Sequence, residues 1–160
     1  MLTDADADER RLMPAWRRYT GTFYQHAAAA LAEAAATGNL LIVSGGYGLV
    51  RADEPIGLYN KVFKLHDWPR GLLEALLVEQ ARTAGMDAVV AFASTSTDYA
   101  RLLRRTPCRA AGIPAYLVTA GAVGGGAMRK VPQLLGQAFT AFCTGEHDRY
   151  PAGTIVEVMA

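Results

Sequence analysis

The chain has 160 residues, 51% hydrophobic and 19% charged, and its 16 Lys and Arg against 15 Asp and Glu leave a formal net charge of +1. That is the size and composition of one soluble globular domain, long enough to bury a core without disulfide or metal staples. The near-neutral balance argues against a surface built throughout for nucleic acid, and no apolar run approaches membrane-spanning length.

Residues 1–13 read as a flexible acidic N-terminus and 14–160 as a single domain. Met1 to Glu9 is polar and acidic rather than basic then apolar, so it does not read as a secretory signal. A short helix is expected over 14–18 and a longer one from Gly21 or Thr22 through Ala36, with Phe23, Ala27, Ala30, Leu31 and Ala34 as its apolar stripe and Gly38 as its stop. Leu40-Leu41-Ile42-Val43, bounded by Gly38-Asn39 and Gly45-Gly46, is a buried strand. Residues 59–63 fit strand or loop equally, and His66-Asp67-Trp68-Pro69 is a break whose His66 and Trp68 are expected to pack the approach to the leucine-rich helix that follows.

Leucines at 72, 73, 76 and 77 predict a helix over 71–83, ended by Gly85. Residues 88–93 are a second buried strand, and Ser94-Thr95-Ser96-Thr97-Asp98 is a hydroxyl-rich turn able to cap a helix over 98–105. A third strand over 115–118 runs into a Gly-rich loop through Gly126, a last helix covers about 128–142, and 154–158 is a terminal strand. Repeated strand, loop and helix units imply a three-layer α/β domain with a largely parallel central sheet. Three strands then end in Gly, Ser or Thr rich loops, on the side where open α/β sheets hold ligands.

The segment 44–56 carries the strongest chemical signal. Ser44 offers a hydroxyl, Gly45, Gly46 and Gly48 allow close approach of main-chain N–H groups, Tyr47 a ring and a phenol, and Arg51 a planar cation suited to phosphate or carboxylate. Asp53 and Glu54 supply an acid or base in the same segment. The same residues also fit a plain Gly-rich turn followed by Asp-Glu-Pro. There is neither Gly-x-Gly-x-x-Gly nor Gly-Lys-Ser, so no dinucleotide or other cofactor is expected, and two cysteines with three scattered histidines give no metal-ligand spacing. Cysteine usage of this kind fits a reducing cytoplasm. Cys108 follows Pro107 in a basic setting without an identifiable base, and Cys143 is expected in the core.

The order Tyr19-Thr20-Gly21, Ser44-Gly45-Gly46-Tyr47-Gly48-Leu49-Val50-Arg51, Pro55-Ile56, Tyr59, Trp68 and Ala93-Ser94-Thr95-Ser96-Thr97-Asp98-Tyr99 resembles the YaaA family, with Gly126-Ala127-Met128-Arg129-Lys130 similar to its later glycine and basic element. Ala52 stands where the family commonly has proline and Asn60 where it has arginine. The resemblance implies an α/β domain whose shared loops, including Tyr59 and Asn60, bind a ligand. It also carries an association with peroxide stress and DNA binding, which in longer members involves a helix-hairpin-helix.

Two classes of function follow. In the first, the chain binds or acts on a nucleotide-type small molecule, with N-glycosidic cleavage or transfer as the concrete chemistry. Arg51 and either Arg129 or Lys130 would take phosphate, Tyr19 or Tyr47 would stack on the base, Ser94, Thr95, Ser96 and Tyr99 would complete the pocket, and Asp53, Glu54 or Asp98 would activate water. Asp98 fits equally well as a cap or dipole partner of its helix. In the second class the chain is a non-catalytic stress or DNA-associated protein. Its best basic patch is then Arg101, Arg104, Arg105 and Arg109 beside Tyr99, residues that a solvated helix face would also explain.

Overall fold

A computed structural model describes residues 12–121, 127–146 and 148–160. Its elements in order are β1 (Met13–Pro14), α1 (Ala15–Arg18), α2 (Thr22–Ala36), β2 (Leu41–Ser44), β3 (Gly48–Arg51), β4 (Pro55–Ile56), a 3-10 turn (Leu65–Asp67), α3 (Leu72–Thr83), β5 (Val89–Phe92), α4 (Asp98–Arg105), β6 (Ala115–Ala120), α5 (Ala127–Cys143) and β7 (Thr154–Val158). The class is α/β.

The strands form three small sheets, β1-β4, β2-β3 and β5-β6-β7, and among the described residues only the β5-β6 ladder is parallel. This departs from the expected largely parallel central sheet, and the hairpin shows why. The expected loop after the first strand turns back after three residues, pairing Ser44 with Gly48 and Leu41 with Arg51. A connection that short permits only an antiparallel partner. Gly48 has φ +79, the left-handed residue with which three-residue hairpin loops commonly close, and the Ser44 hydroxyl accepts the Tyr47 N–H at 3.1 Å. Two apolar pieces, 40–43 and 49–50, separated by a Gly-rich turn are the hairpin signal that the single-loop reading passed over.

The β5-α4-β6 unit does follow the alternating pattern, because an α-helical crossover is what a parallel pair needs. Thr97 caps α4, its hydroxyl accepting the Ala100 N–H at 3.3 Å and donating to the Ser94 carbonyl at 2.7 Å. Leu77, Val78 and Ala81 of α3, Ala100 and Leu103 of α4, and Ala115 and Leu117 of β6 form the main core cluster. The face of α3 that faces inward is Leu73, Leu77, Val78 and Ala81, whereas Leu72 and Leu76 are 41% and 45% exposed. A second cluster joins Ala15, Ala35, Ile42, Val50 and Ile56.

Helix α2 packs closely on α5. The alanine filling of α2 is what permits this: Ala27, Ala30, Leu31 and Ala35 are buried, and a Cβ on Gly136 of α5 would sit 2.8 Å from the Phe23 carbonyl oxygen. Trp68 packs beside Leu73 and over Gly48, but His66 projects outward with its side chain 77% exposed. Cys108 is buried and Cys143 exposed, so the latter is not the core residue its apolar surroundings suggested. No helix among the described residues is long and apolar enough to cross a membrane.

Candidate ligand site

A cleft of about 1360 Å³ opens beside the hairpin. Strand β2 contributes Leu41, Ile42 and Val43, the extended segment 57–63 a second wall, β5 a third through Val90 and Phe92, and α5 closes it with Leu135 and Phe139. Tyr19, Tyr24, Tyr59, Phe63 and Tyr99 line it as well. Among the described residues no carboxylate lines it, and the cations that do are Arg18 and Lys61. The Arg18 Nε donates to the Ile56 carbonyl at 3.2 Å, and Lys61 pairs with Asp67 at 3.5 Å.

The tyrosines are held by one another and by the hairpin. The Tyr19 and Tyr59 hydroxyls are hydrogen-bonded at 2.5 Å, and Tyr19 stacks on Tyr24 with ring centroids 5.1 Å apart. Tyr47 meets Tyr59 edge-on at 5.8 Å, and its hydroxyl accepts the Gly57 N–H at 2.9 Å, which fastens the start of the 57–63 wall to the hairpin. Phe63 stacks on Tyr99 at 5.1 Å. Two glycines make room for this wall. A Cβ on Gly45 would run into the Lys61 carbonyl, and one on Gly46 would lie 2.6 Å from Cγ of Tyr59.

Burial pushes the Tyr19 phenol far above its ordinary value, with the Tyr59 hydroxyl adding to the rise and a hydrogen bond to fully buried Ser44 opposing it. Burial also raises Tyr24 and Tyr99. All three therefore remain neutral hydrogen-bonding groups through the physiological range. The Cys108 thiol is pushed up by burial too, which opposes an activated thiolate.

Of the residues expected at the site, the cleft gathers Tyr19, Gly45, Tyr59, Asn60, Ser94 and Tyr99. Ser44 hydrogen-bonds Tyr19, Gly46 abuts Tyr59 and Tyr47 holds Gly57, so these three support its wall, whereas Gly48 lies against Trp68. Gly21 instead precedes α2 as its N-cap, and the Thr20 carbonyl accepts the Gln25 side-chain N–H at 2.9 Å. Arg51, Asp53 and Glu54 form an exposed cluster of their own, with Arg51 Nε 3.1 Å from Asp53 Oδ1 and the Arg51 N–H donating to Glu54 Oε1 at 3.1 Å. Asp98 is engaged in holding the fold: Oδ2 accepts the Leu65 N–H at 2.9 Å and Oδ1 the Arg101 guanidinium at 2.6 Å. Lys130 is exposed on α5, and the Arg129 side chain and residues 122–126 lie outside what is described.

A smaller crevice of about 380 Å³ adjoins the cleft and shares Ser94 and Pro132 with it. Thr95, Ser96, Thr119, Ala120 and Val131 complete its described lining. Thr119 is 4% exposed and its Oγ1 has no hydrogen-bond partner among the described residues, a state that costs about 1–3 kcal/mol. Thr119, Tyr24 and Phe63 are lining residues that the sequence reading passed over. The only signal for Thr119 was a hydroxyl directly following an apolar strand.

The described residues contain no group of three or more His, Cys, Asp or Glu that would hold a metal ion. No family model, no curated protein and no solved structure matches the chain.

Proposed function

We propose that this chain is a YaaA-like domain that binds a nucleotide-type small molecule, with the ring of the ligand in the aromatic cleft. The observation that carries the reading is the cleft itself: about 1360 Å³, walled by tyrosines and phenylalanines, with no carboxylate among the described residues that line it. Flat rings gain from stacking and edge contacts with such walls, and phenol hydroxyls supply the few polar contacts that orient a ligand. The motif order from Tyr19 to Tyr99 supports the same reading, since Tyr19, Tyr59, Ser94 and Tyr99 all line this cleft.

Binding is favoured over glycosidic cleavage because the three candidate carboxylates are engaged elsewhere, Asp53 and Glu54 with Arg51 and Asp98 with Leu65 and Arg101. It is favoured over DNA binding because two cations of the best basic patch are already paired, Arg101 with Asp98 and Arg104 with Glu157.

Calorimetric titration with the common nucleosides and their monophosphates tests the reading. At least one should bind saturably, and Tyr99→Leu should weaken it about tenfold, the equivalent of roughly 1.4 kcal/mol. Silence across the panel would refute it. Mass spectrometry of the same mixtures would show free base if the chain also cleaves the glycosidic bond.

A further inference from the structure

We propose that the crevice at the carboxyl ends of β5 and β6 is a phosphoryl-binding subsite, and that the ligand spans it and the cleft. The inference deepens the nucleotide reading and rests on it for the ring half of the ligand.

The position follows from topology. The parallel β5-β6 pair with α4 as its crossover sets two strand ends side by side, where α/β units leave a crevice for ligands. Four hydroxyl side chains converge there: Ser94, Thr95, Ser96 and Thr119. The buried Thr119 Oγ1 has no hydrogen-bond partner among the described residues, and half-buried Ser94 and exposed Ser96 flank it in the crevice wall. Thr95 Oγ1 accepts from Arg104 Nη2 at 2.6 Å, which occupies a lone pair and leaves its hydrogen free to donate.

The crevice therefore offers O–H donors to a ligand with several acceptor oxygens, and a phosphoryl group has that chemistry. Arg104 places a guanidinium directly behind Thr95, donating also to its carbonyl at 2.7 Å. Among the described residues no acidic side chain lines the crevice to repel an anion, and the nearby carboxylates of Asp98 and Glu157 are paired with Arg101 and Arg104. Helix α4 begins at Asp98, so its positive end lies beside the Ser94–Thr97 turn. Because Ser94 and Pro132 border both cavities, a phosphoryl group here is within reach of a ring in the cleft.

The experiment is a two-dimensional amide NMR titration of the full chain, with inorganic phosphate and with adenosine in separate series, on the parent, Thr119→Val and a Ser94→Ala, Ser96→Ala double variant. Phosphate should cause saturable shifts at residues 94–97 and 119–121, with at least tenfold weaker binding in both variants. Thr119→Val removes an unpaired buried hydroxyl at nearly constant volume, so its melting temperature should equal or exceed the parent's. Should Thr119→Val fail to fold, the serine variant carries the test alone.

Absence of saturable shifts at these amides, shifts confined to other regions, or unchanged affinity in the variants would each overturn the proposal. Adenosine shifting Tyr59 and Tyr99 while phosphate is silent would overturn the subsite and leave the cleft reading standing. Phosphate shifting the crevice while adenosine is silent would support the subsite and remove the ring assignment.

Discussion

Gly45→Ala should be among the most damaging single-methyl additions in this fold, although Gly45 has no positive φ and lies in a turn. A Cβ there would overlap the Lys61 carbonyl oxygen and come within 2.8 Å of both Lys61 C and Phe63 N. Carbon atoms normally rest about 3.5 Å or more from such neighbours, so the gap must open by roughly 0.7 Å at Phe63 and further at Lys61. All three obstacles are backbone atoms. The whole 57–63 wall has to move, and with it Tyr59 and the Phe63–Tyr99 stack.

Overpacking of this kind costs about 1–3 kcal/mol, and the rigidity of the obstacle places Gly45→Ala near the upper value. At about 2–4 °C per kcal/mol for a chain of this length, the melting temperature should fall by roughly 6–12 °C. Gly46→Ala is the internal comparison. Its Cβ meets Cγ of Tyr59 at 2.6 Å, a side chain that can turn, so stability should fall by only about 1 kcal/mol while ring binding in the cleft is lost. Thermal unfolding followed by circular dichroism, with calorimetric binding alongside, measures both. A Gly45→Ala protein that melts within 2 °C of the parent, to within about 1 kcal/mol, and keeps its ligand affinity would refute the close approach and the wall built on it.

Burial raises the phenols of Tyr19, Tyr24 and Tyr99, so the folded state favours their neutral forms. That stabilisation is complete below the unfolded phenol value of about 10 and is lost as pH rises through the folded values, at about 1.4 kcal/mol per pH unit for Tyr24 alone. Absorbance at 295 nm should show these phenols ionising together with loss of ellipticity above pH 10, and their free ionisation in a still-folded protein would contradict the packing. Asp98→Ala should destabilise by about 2 kcal/mol, since it removes the acceptor of the Leu65 N–H, and chemical denaturation would expose the error if stability were unchanged. A thiol reagent should modify exposed Cys143 in the folded protein, at a rate held down by the upward push that burial and Glu33 give its thiol, and buried Cys108 only on unfolding, with Cys143→Ser abolishing the native-state phase.

Local chemistry was enough to locate the helices. Alanine filling with Gly38 as stop marked α2, the Ser-Thr turn with Thr97 marked the start of α4, and the last helix expected over about 128–142 is α5. The strands after α4 and at the C-terminus were equally legible, because branched and apolar runs between turn residues report burial directly. Strand direction was not legible. It depends on which segment returns alongside, and the return of 48–51 onto β2 turned an expected ligand loop into a hairpin whose Gly45 and Gly46 serve close packing against 59–63.

The same distinction divides the site. Residue type alone showed that Tyr19, Tyr59, Ser94 and Tyr99 are able to bind a ring or an oxygen-rich group. Only the tertiary structure brought them to one cleft, left Arg51, Asp53 and Glu54 paired on the surface, and set Asp98 against Leu65. The physical reason is range: capping, propensity and turn chemistry act within a few residues, whereas the pairing of Tyr19 with Tyr59 is a contact between segments far apart in the chain.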